Sequence, residues 1–264
     1  MKQRADIILM KNDLVPSREK AKALIMSGLV YCGEERVDKP GQLIEDTAVL
    51  TVRGGDCPYV SRGGTKLEKA ISEFNIDLSR CVCADIGAST GGFTDCMLQN
   101  GAKKVYAIDV GYGQLAWKLR SDERVVNIER TNIRYITKEQ LPQPLDFFTV
   151  DVSFISLGLV VPVVADFLGE TAKGVCLIKP QFEAGREKVG KNGVVRDPDV
   201  HAEVINKVFK YIKSSGLRAA GLTWSPIKGP KGNIEYLVFI EKTCENSTGP
   251  INIKNVVAAA HKEM

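Results

Sequence analysis

The sequence is short of the residues from which metal centres and disulfide frameworks are built. Its only histidines, His201 and His261, lie far from any cysteine, so no metal site is expected. The seven cysteines are odd in number and never spaced C-x-x-C, which fits scattered reduced thiols in the cytoplasm. Long apolar runs are missing as well. The most apolar stretch, residues 154–168, is too short to span a bilayer and is broken by Pro162 and Asp166. Lys2, Arg4 and Asp6 stand where a signal peptide needs an apolar core. A soluble cytoplasmic protein with no membrane partner is expected. There is no internal repeat, and no G-x-G-x-x-G to carry a pyrophosphate. The net charge of +4 permits a nucleic-acid partner without requiring one.

What is present is organised around residues 81–111. A β-type run over 82–86 ends near Asp85, and Gly87, Gly91 and Gly92 then let the backbone turn tightly and approach a ligand. Residues 93–98 continue with helical spacing, and a second strand over 105–108 ends at Asp109. Strand, glycine-rich loop, helix and strand closing on an acid form the nucleotide-binding half of a doubly wound α/β fold. An acid at the first strand end would repel a pyrophosphate but suits an ammonium, and Asp109 could accept from ribose hydroxyls under either reading. The loop resembles that of Rossmann-like methyltransferases, which bind S-adenosylmethionine. That resemblance makes Asp85, Gly87, Ser89, Gly91, Gly92, Phe93, Asp109, Asn132 and Asp151 the candidate cofactor residues, with Asn132 near the adenine edge.

Residues 3–53 read as a separate unit. Ser17 is a candidate N-cap for a helix whose apolar face holds Ala21, Leu24 and Ile25, with Arg18, Lys20 and Lys22 largely off that face. A hairpin over 30–37, the turn Lys39-Pro40-Gly41 and a strand over 48–52 complete it. The pattern resembles the RNA-binding domain named after ribosomal protein S4. One departure is the pair Glu34 and Glu35 after the hairpin turn, which lowers local basicity. The resemblance makes Arg4, Arg18, Lys20, Lys22 and Lys39 candidate RNA contacts. Residues 53–58 read as a tether.

Strands are further expected over 125–128, 145–150, 174–178, 222–225 and 234–240, with an amphipathic helix over 199–215 and a mobile Gly- and Lys-rich loop over 184–196. The expected fold is α/β: a Rossmann-like, mostly parallel seven-stranded sheet over 57–245, a small α+β domain over 1–56, and an exposed tail over 246–264. Lys66 precedes the first strand of the large domain, Asp151 and Lys179 follow the fourth and fifth, and Glu235 begins the last. Each alone has an ordinary structural explanation; the four together resemble the Lys-Asp-Lys-Glu tetrad of FtsJ-like ribose 2′-O-methyltransferases. With the N-terminal module, residues 3–241 resemble the TlyA family, often labelled hemolysin A.

That resemblance implies methylation of cytidine ribose in ribosomal RNA, with S-adenosylmethionine as donor and rRNA or a ribosomal subunit as partner. A ribose hydroxyl is a poor nucleophile and needs a base and alignment. A lysine serves as base only when neutral, a form that a neighbouring cation favours and a carboxylate opposes. Lys179 is assigned as base, Lys66 as its tuner, and Asp151 and Glu235 as their holders. Other readings stay open: an RNA-binding protein that binds S-adenosylmethionine without turnover, a cytolysin, and a small-molecule methyltransferase. The sequence does not choose between monomer and dimer.

Overall fold

The computed structural model describes residues 2–15, 17–26, 28–33, 35–52, 57–242, 249 and 251–264. Two compact units divide the chain, Met1–Gly64 and Thr65–Met264. In the first, β1 (Lys2–Arg4) runs into α1 (Ala5–Lys11), followed by α2 (Arg18–Met26). The Ser17 Oγ accepts the Lys20 N–H at 3.1 Å, so α2 starts where a capping serine is expected to start it. Ala21 and Ile25, four residues apart, are buried with Ile8, Leu9, Val30 and Leu50; Leu24 only borders that core. Four short strands follow: β2 (Val30–Cys32), β3 (Glu35–Arg36), β4 (Leu43–Glu45) and β5 (Leu50–Val52). β2 lies between β3 and β5, while β4 pairs with β1. Glu34 of the hairpin turn and residues 53–56 of the tether lie outside the described residues.

The second unit opens with α3 (Gly64–Phe74) and alternates strands with helices: β6 (Val82–Ile86), α4 (Gly92–Gln99), β7 (Lys104–Ile108), α5 (Trp117–Arg120), β8 (Val125–Ile128), β9 (Leu145–Val150), α6 (Leu157–Ala165), β10 (Leu168–Ile178), α7 (Pro180–Glu183), α8 (Pro198–Ser214), β11 (Arg218–Trp224), β12 (Tyr236–Glu241) and α9 (Ile253–Glu263). The seven strands β6–β12 form one sheet in the order β11-β12-β10-β9-β6-β7-β8. β12 is antiparallel to both neighbours, and the five strands β6–β10 run parallel. The central strands are covered on both faces, which is why Phe147, Phe148 and Val150 of β9 form a nearly unbroken apolar run.

Three expectations need correction. β10 starts at Leu168, six residues before the expected start at 174, because polar Glu170 and Thr171 break the apolar pattern at a register shift. The loop over 184–196 is pinned rather than loose: Val194 and Val195 are buried, and Val195 N–H donates to the Asn233 Oδ1. The segment 246–264 is not an exposed tail. Residues 243–248 and 250 lie outside the described residues, but α9 buries Val257 and Ala260 in the core of the sheet domain, packing on α8 and β11. Its apolar residues recur at helical spacing, Ile253, Val256, Val257 and Ala260, and an 11-residue helix becomes stable once that face is covered.

Candidate active site

The parallel strands β6, β7, β9 and β10 end on one side of the sheet, and the chemistry gathers there. Asp151 directly follows β9, Lys179 directly follows β10, Lys66 lies in the first turn of α3, and Glu235 directly precedes β12. The structure brings all four together. The Lys179 Nζ lies 2.5 Å from the Asp151 Oδ1. The Lys66 Nζ lies 2.7 Å from the Glu235 Oε2 and 3.7 Å from the Asp151 Oδ2. Asp151 therefore bridges two ammonium groups, one on each carboxylate oxygen. Burial raises its pKa, but Lys66 and Lys179 outweigh burial and hold it below the ordinary carboxylate range. Glu235 is 1% exposed, and its second oxygen, Oε1, has no hydrogen-bond partner among the described residues. An unpaired oxygen on a buried carboxylate is costly.

Beside the tetrad lies a cleft of ≈ 820 Å³ whose lining includes Gly87, Ser89, Asp109, Asn132 and Asp151. Gly87 has φ +87°, and a Cβ there would stand 2.4 Å from the Asp151 carbonyl oxygen. Only glycine fits. The Asp109 carboxylate accepts from the Ser89 and Gly111 N–H groups at 2.8 and 2.7 Å, which fixes it at the cleft wall with lone pairs to spare. Asn132 uses its Oδ1 to cap a 3₁₀ turn at Arg134. Gly91, Gly92 and Phe93 are absent from this lining: Gly91 (φ +93°) turns the chain into α4, whose first residues are Gly92 and a buried Phe93.

Asp85 has a different task from the one expected. It is 1% exposed and does not line the cleft. Its Oδ2 accepts from the Thr94 N–H and hydroxyl at 2.8 and 2.7 Å, and its Oδ1 accepts from the Thr149 hydroxyl at 3.0 Å. Gly91, the residue before α4, has no side chain to cap the helix, so Asp85 satisfies one of its orphan N–H groups from the neighbouring strand. Burial pushes its carboxyl up to about 6, against the lowering effect of those hydrogen bonds.

Residues 59–242 match the FtsJ-like methyltransferase family and residues 3–50 match the S4 domain. The chain belongs to the FtsJ-like methyltransferase family. It is 40% identical to the 16S/23S rRNA (cytidine-2′-O)-methyltransferase TlyA of Mycobacterium tuberculosis, covering 98% of this chain and 97% of that one. It is also 47% identical to hemolysin A of Brachyspira hyodysenteriae, over 84% and 92% of the two chains. A Streptococcus thermophilus protein solved under a hemolysin label superimposes with a TM-score of 0.78 at 48% identity, over 99% and 96% of the chains. No helix among the described residues is long and apolar enough to cross a membrane.

The S4 domain holds its basic residues in two ways. Lys20, Lys22 and Lys39 are exposed. Arg4 and Arg18 are tied by their Nε atoms to the buried Asp6, at 3.0 and 2.9 Å. Asp6 is thereby held down to about 2, chiefly by its hydrogen bond from Arg4. Both guanidinium groups remain partly exposed with further N–H groups, so Asp6 orients the two arginines. Sequence reasoning missed two features of the methyltransferase site. The Ser153 Oγ accepts from the Lys179 Nζ at 3.2 Å; a hydroxyl two residues beyond a strand-end acid was the available signal. Phe154, 90% exposed at the cleft, has φ +64°, rare for an aromatic residue, and its ring lies 4.9 Å from that of Phe182. No sequence signal marks it.

Proposed function

We propose that this chain methylates the 2′-hydroxyl of a cytidine in ribosomal RNA, with S-adenosylmethionine as donor, in the cytoplasm. The observation that carries the reading is the Lys179–Asp151–Lys66–Glu235 chain of ion pairs beside the glycine-lined cleft. Asp109, Ser89 and Asn132 would hold the nucleoside part of the cofactor, with Gly87 admitting it close to the backbone. A cleft of this size, lined by the Asp109 carboxylate and by apolar Ile108, Val110 and Ile133, fits such a molecule. When bound, S-adenosylmethionine supplies an electrophilic methyl group on a sulfonium centre.

The protein's share is alignment and proton transfer. Lys179 stands at the strand end as the base for the ribose proton. Asp151 holds it through one carboxylate oxygen and holds Lys66 through the other, while Glu235 anchors Lys66 from the opposite side. A base lysine must be neutral to act, so the ammonium has to release its proton before it can take the one from ribose. The exposed Lys20, Lys22 and Lys39, with Arg4 and Arg18, are the phosphate contacts that hold rRNA or a ribosomal subunit. In this reading residues 1–56 anchor RNA, and the methyltransferase domain begins at 57 and includes α9.

Lys179→Ala and Lys179→Arg test the assignment in single-turnover methyl transfer on rRNA, with 2′-O-methyl positions mapped. The alanine variant is expected to keep its fold and cofactor binding and lose about 10²–10⁴-fold in rate. Arginine is expected not to restore it, because a guanidinium stays protonated. Substantial transfer by the arginine variant would remove Lys179 as the base.

A further inference from the structure

Behind the tetrad lies a buried cluster that the proposed chemistry does not use. His201 of α8 is fully buried, as is Tyr236, the first residue of β12. The His201 Nε2 lies 2.9 Å from the Val195 carbonyl oxygen. A carbonyl only accepts, so Nε2 carries the proton. The Nδ1 of the neutral ring is then an acceptor with a single lone pair, which the Tyr236 hydroxyl at 2.8 Å takes, while the His261 Nε2 of α9 packs 3.1 Å from the same atom. Burial lowers the pKa of both histidines, in keeping with neutral rings.

The two other partners of His201 lead to Glu235 by separate routes. Tyr236 is its immediate neighbour in the chain. Val195 donates its N–H to the Asn233 Oδ1, and the Asn233 Nδ2 donates to the Gly193 carbonyl, so the 193–195 loop and the turn before β12 are laced together. The same turn closes through the Gly229 N–H on the Asn233 carbonyl, and the Ser225 N–H holds the Glu235 carbonyl at 2.8 Å. Glu235 thus lies between two attachments, Asn233 and Tyr236, that meet on one imidazole.

We infer that His201 is a positioning residue for methyl transfer, clasped by His261 of the C-terminal helix, and that it sets the place of Glu235 against Lys66. This rests on the function proposed above. The role needs a ring with a donor at one nitrogen and an acceptor at the other, which explains a buried polar side chain where α8 could have carried an aliphatic one. It also gives α9 a task in the reaction, since its His261 ring closes on the imidazole at 3.1 Å and holds it in place.

Glutamine offers a donor and an acceptor at similar spacing, and leucine offers neither. His201→Gln is expected to keep kcat within about threefold of the parent and His201→Leu to lose about tenfold or more, each with KM for S-adenosylmethionine and RNA unchanged. Tyr236→Phe, which removes a single oxygen, is expected to fall between them, and it serves if the leucine variant does not fold. Amide hydrogen exchange, read on the same proteins without substrate, should quicken across residues 228–236 in the leucine and phenylalanine variants and stay unchanged across β6. A purely structural role predicts lower melting temperatures with kcat intact at 25 °C, and that result would overturn the inference. So would unchanged exchange at 228–236. If the parent protein transfers no methyl while exchange still quickens there, the functional reading fails and the linkage of His201 to the Glu235 turn stands.

Discussion

Replacing Asp85 by asparagine should stabilise this protein above neutral pH, although it removes a charge from the strand that leads into the glycine-rich loop. The carboxyl is raised from 3.8 to about 6 by burial. A raised acid keeps its proton longer in the folded state than in the unfolded one. Its contribution is therefore full below about pH 4, declines as pH climbs through about 6, and is flat beyond. The difference corresponds to about 3 kcal/mol carried as a cost at pH 8. Asparagine reproduces the protonated form: its oxygen can accept from both Thr94 donors, and its amide can donate to the Thr149 hydroxyl. Charge-assisted bonds are stronger than those to an amide, so a net gain of about 1–2 kcal/mol is the realistic figure. That is about 2–8 °C in melting temperature for a unit of this size. The only tryptophans, Trp117 and Trp224, both lie in the Thr65–Met264 unit, so their fluorescence follows its melting without a signal from the S4 domain. The two proteins should melt together at pH 4 and separate at pH 8, with asparagine higher. Cofactor affinity should stay within about threefold, as expected of a residue outside the cleft. An asparagine variant that melts below the parent at pH 8, or loses the cofactor while folded, would refute this account of Asp85.

Three further outcomes are expected. Gly229→Ala would place a Cβ 2.1 Å from the Glu235 Oε1; the carboxylate must retreat from Lys66, and single-turnover transfer should fall about tenfold or more with little change in melting. Asp6, held down to about 2, stabilises the S4 domain above its unfolded value near 3.8 and loses that effect as pH falls through about 2, so exchange across α1 and α2 should quicken in that window, with up to about 2 kcal/mol at stake. Lys20→Ala with Lys22→Ala should weaken rRNA binding and reduce the slope of log affinity against log salt by about 1 per lost phosphate contact, leaving cofactor affinity unchanged by calorimetry.

The sheet was legible because buried parallel strands are written as short apolar runs, and each run here ends on the residue that matters: Asp109, Asp151 and Lys179. Asp151 and Lys179 were legible for the same reason, since strand ends converge on one side of an open sheet, whereas Lys66 and Glu235 joined them only through the resemblance to the FtsJ-like tetrad. What stayed hidden depends on which way a side chain turns. Asp85 sits at a strand end like the others, and nothing local tells that its carboxylate turns to Thr94 rather than to the cleft. The His201 cluster joins positions 195, 201, 236 and 261, which no local pattern connects. α9 is different: Ile253, Val256, Val257 and Ala260 recur at helical spacing, but a stretch rich in polar residues, 243–250, separates them from the last apolar strand.

Gly87 and Asp151 abut, with no room for even one added carbon between the loop and the residue that joins the two lysines. The Asp151 N–H also donates to the Ile86 carbonyl, so the same two segments are fastened by the backbone. Under the proposed function, the cofactor loop and the lysine cluster therefore share one anchor point. Widening this loop would displace Asp151 and the lysine paired with it, so substitutions on the two segments are expected not to combine as independent steps. Variation in specificity has an easier path on the far wall, around Asn132 and Arg134, where the cleft can change shape without disturbing the lysines.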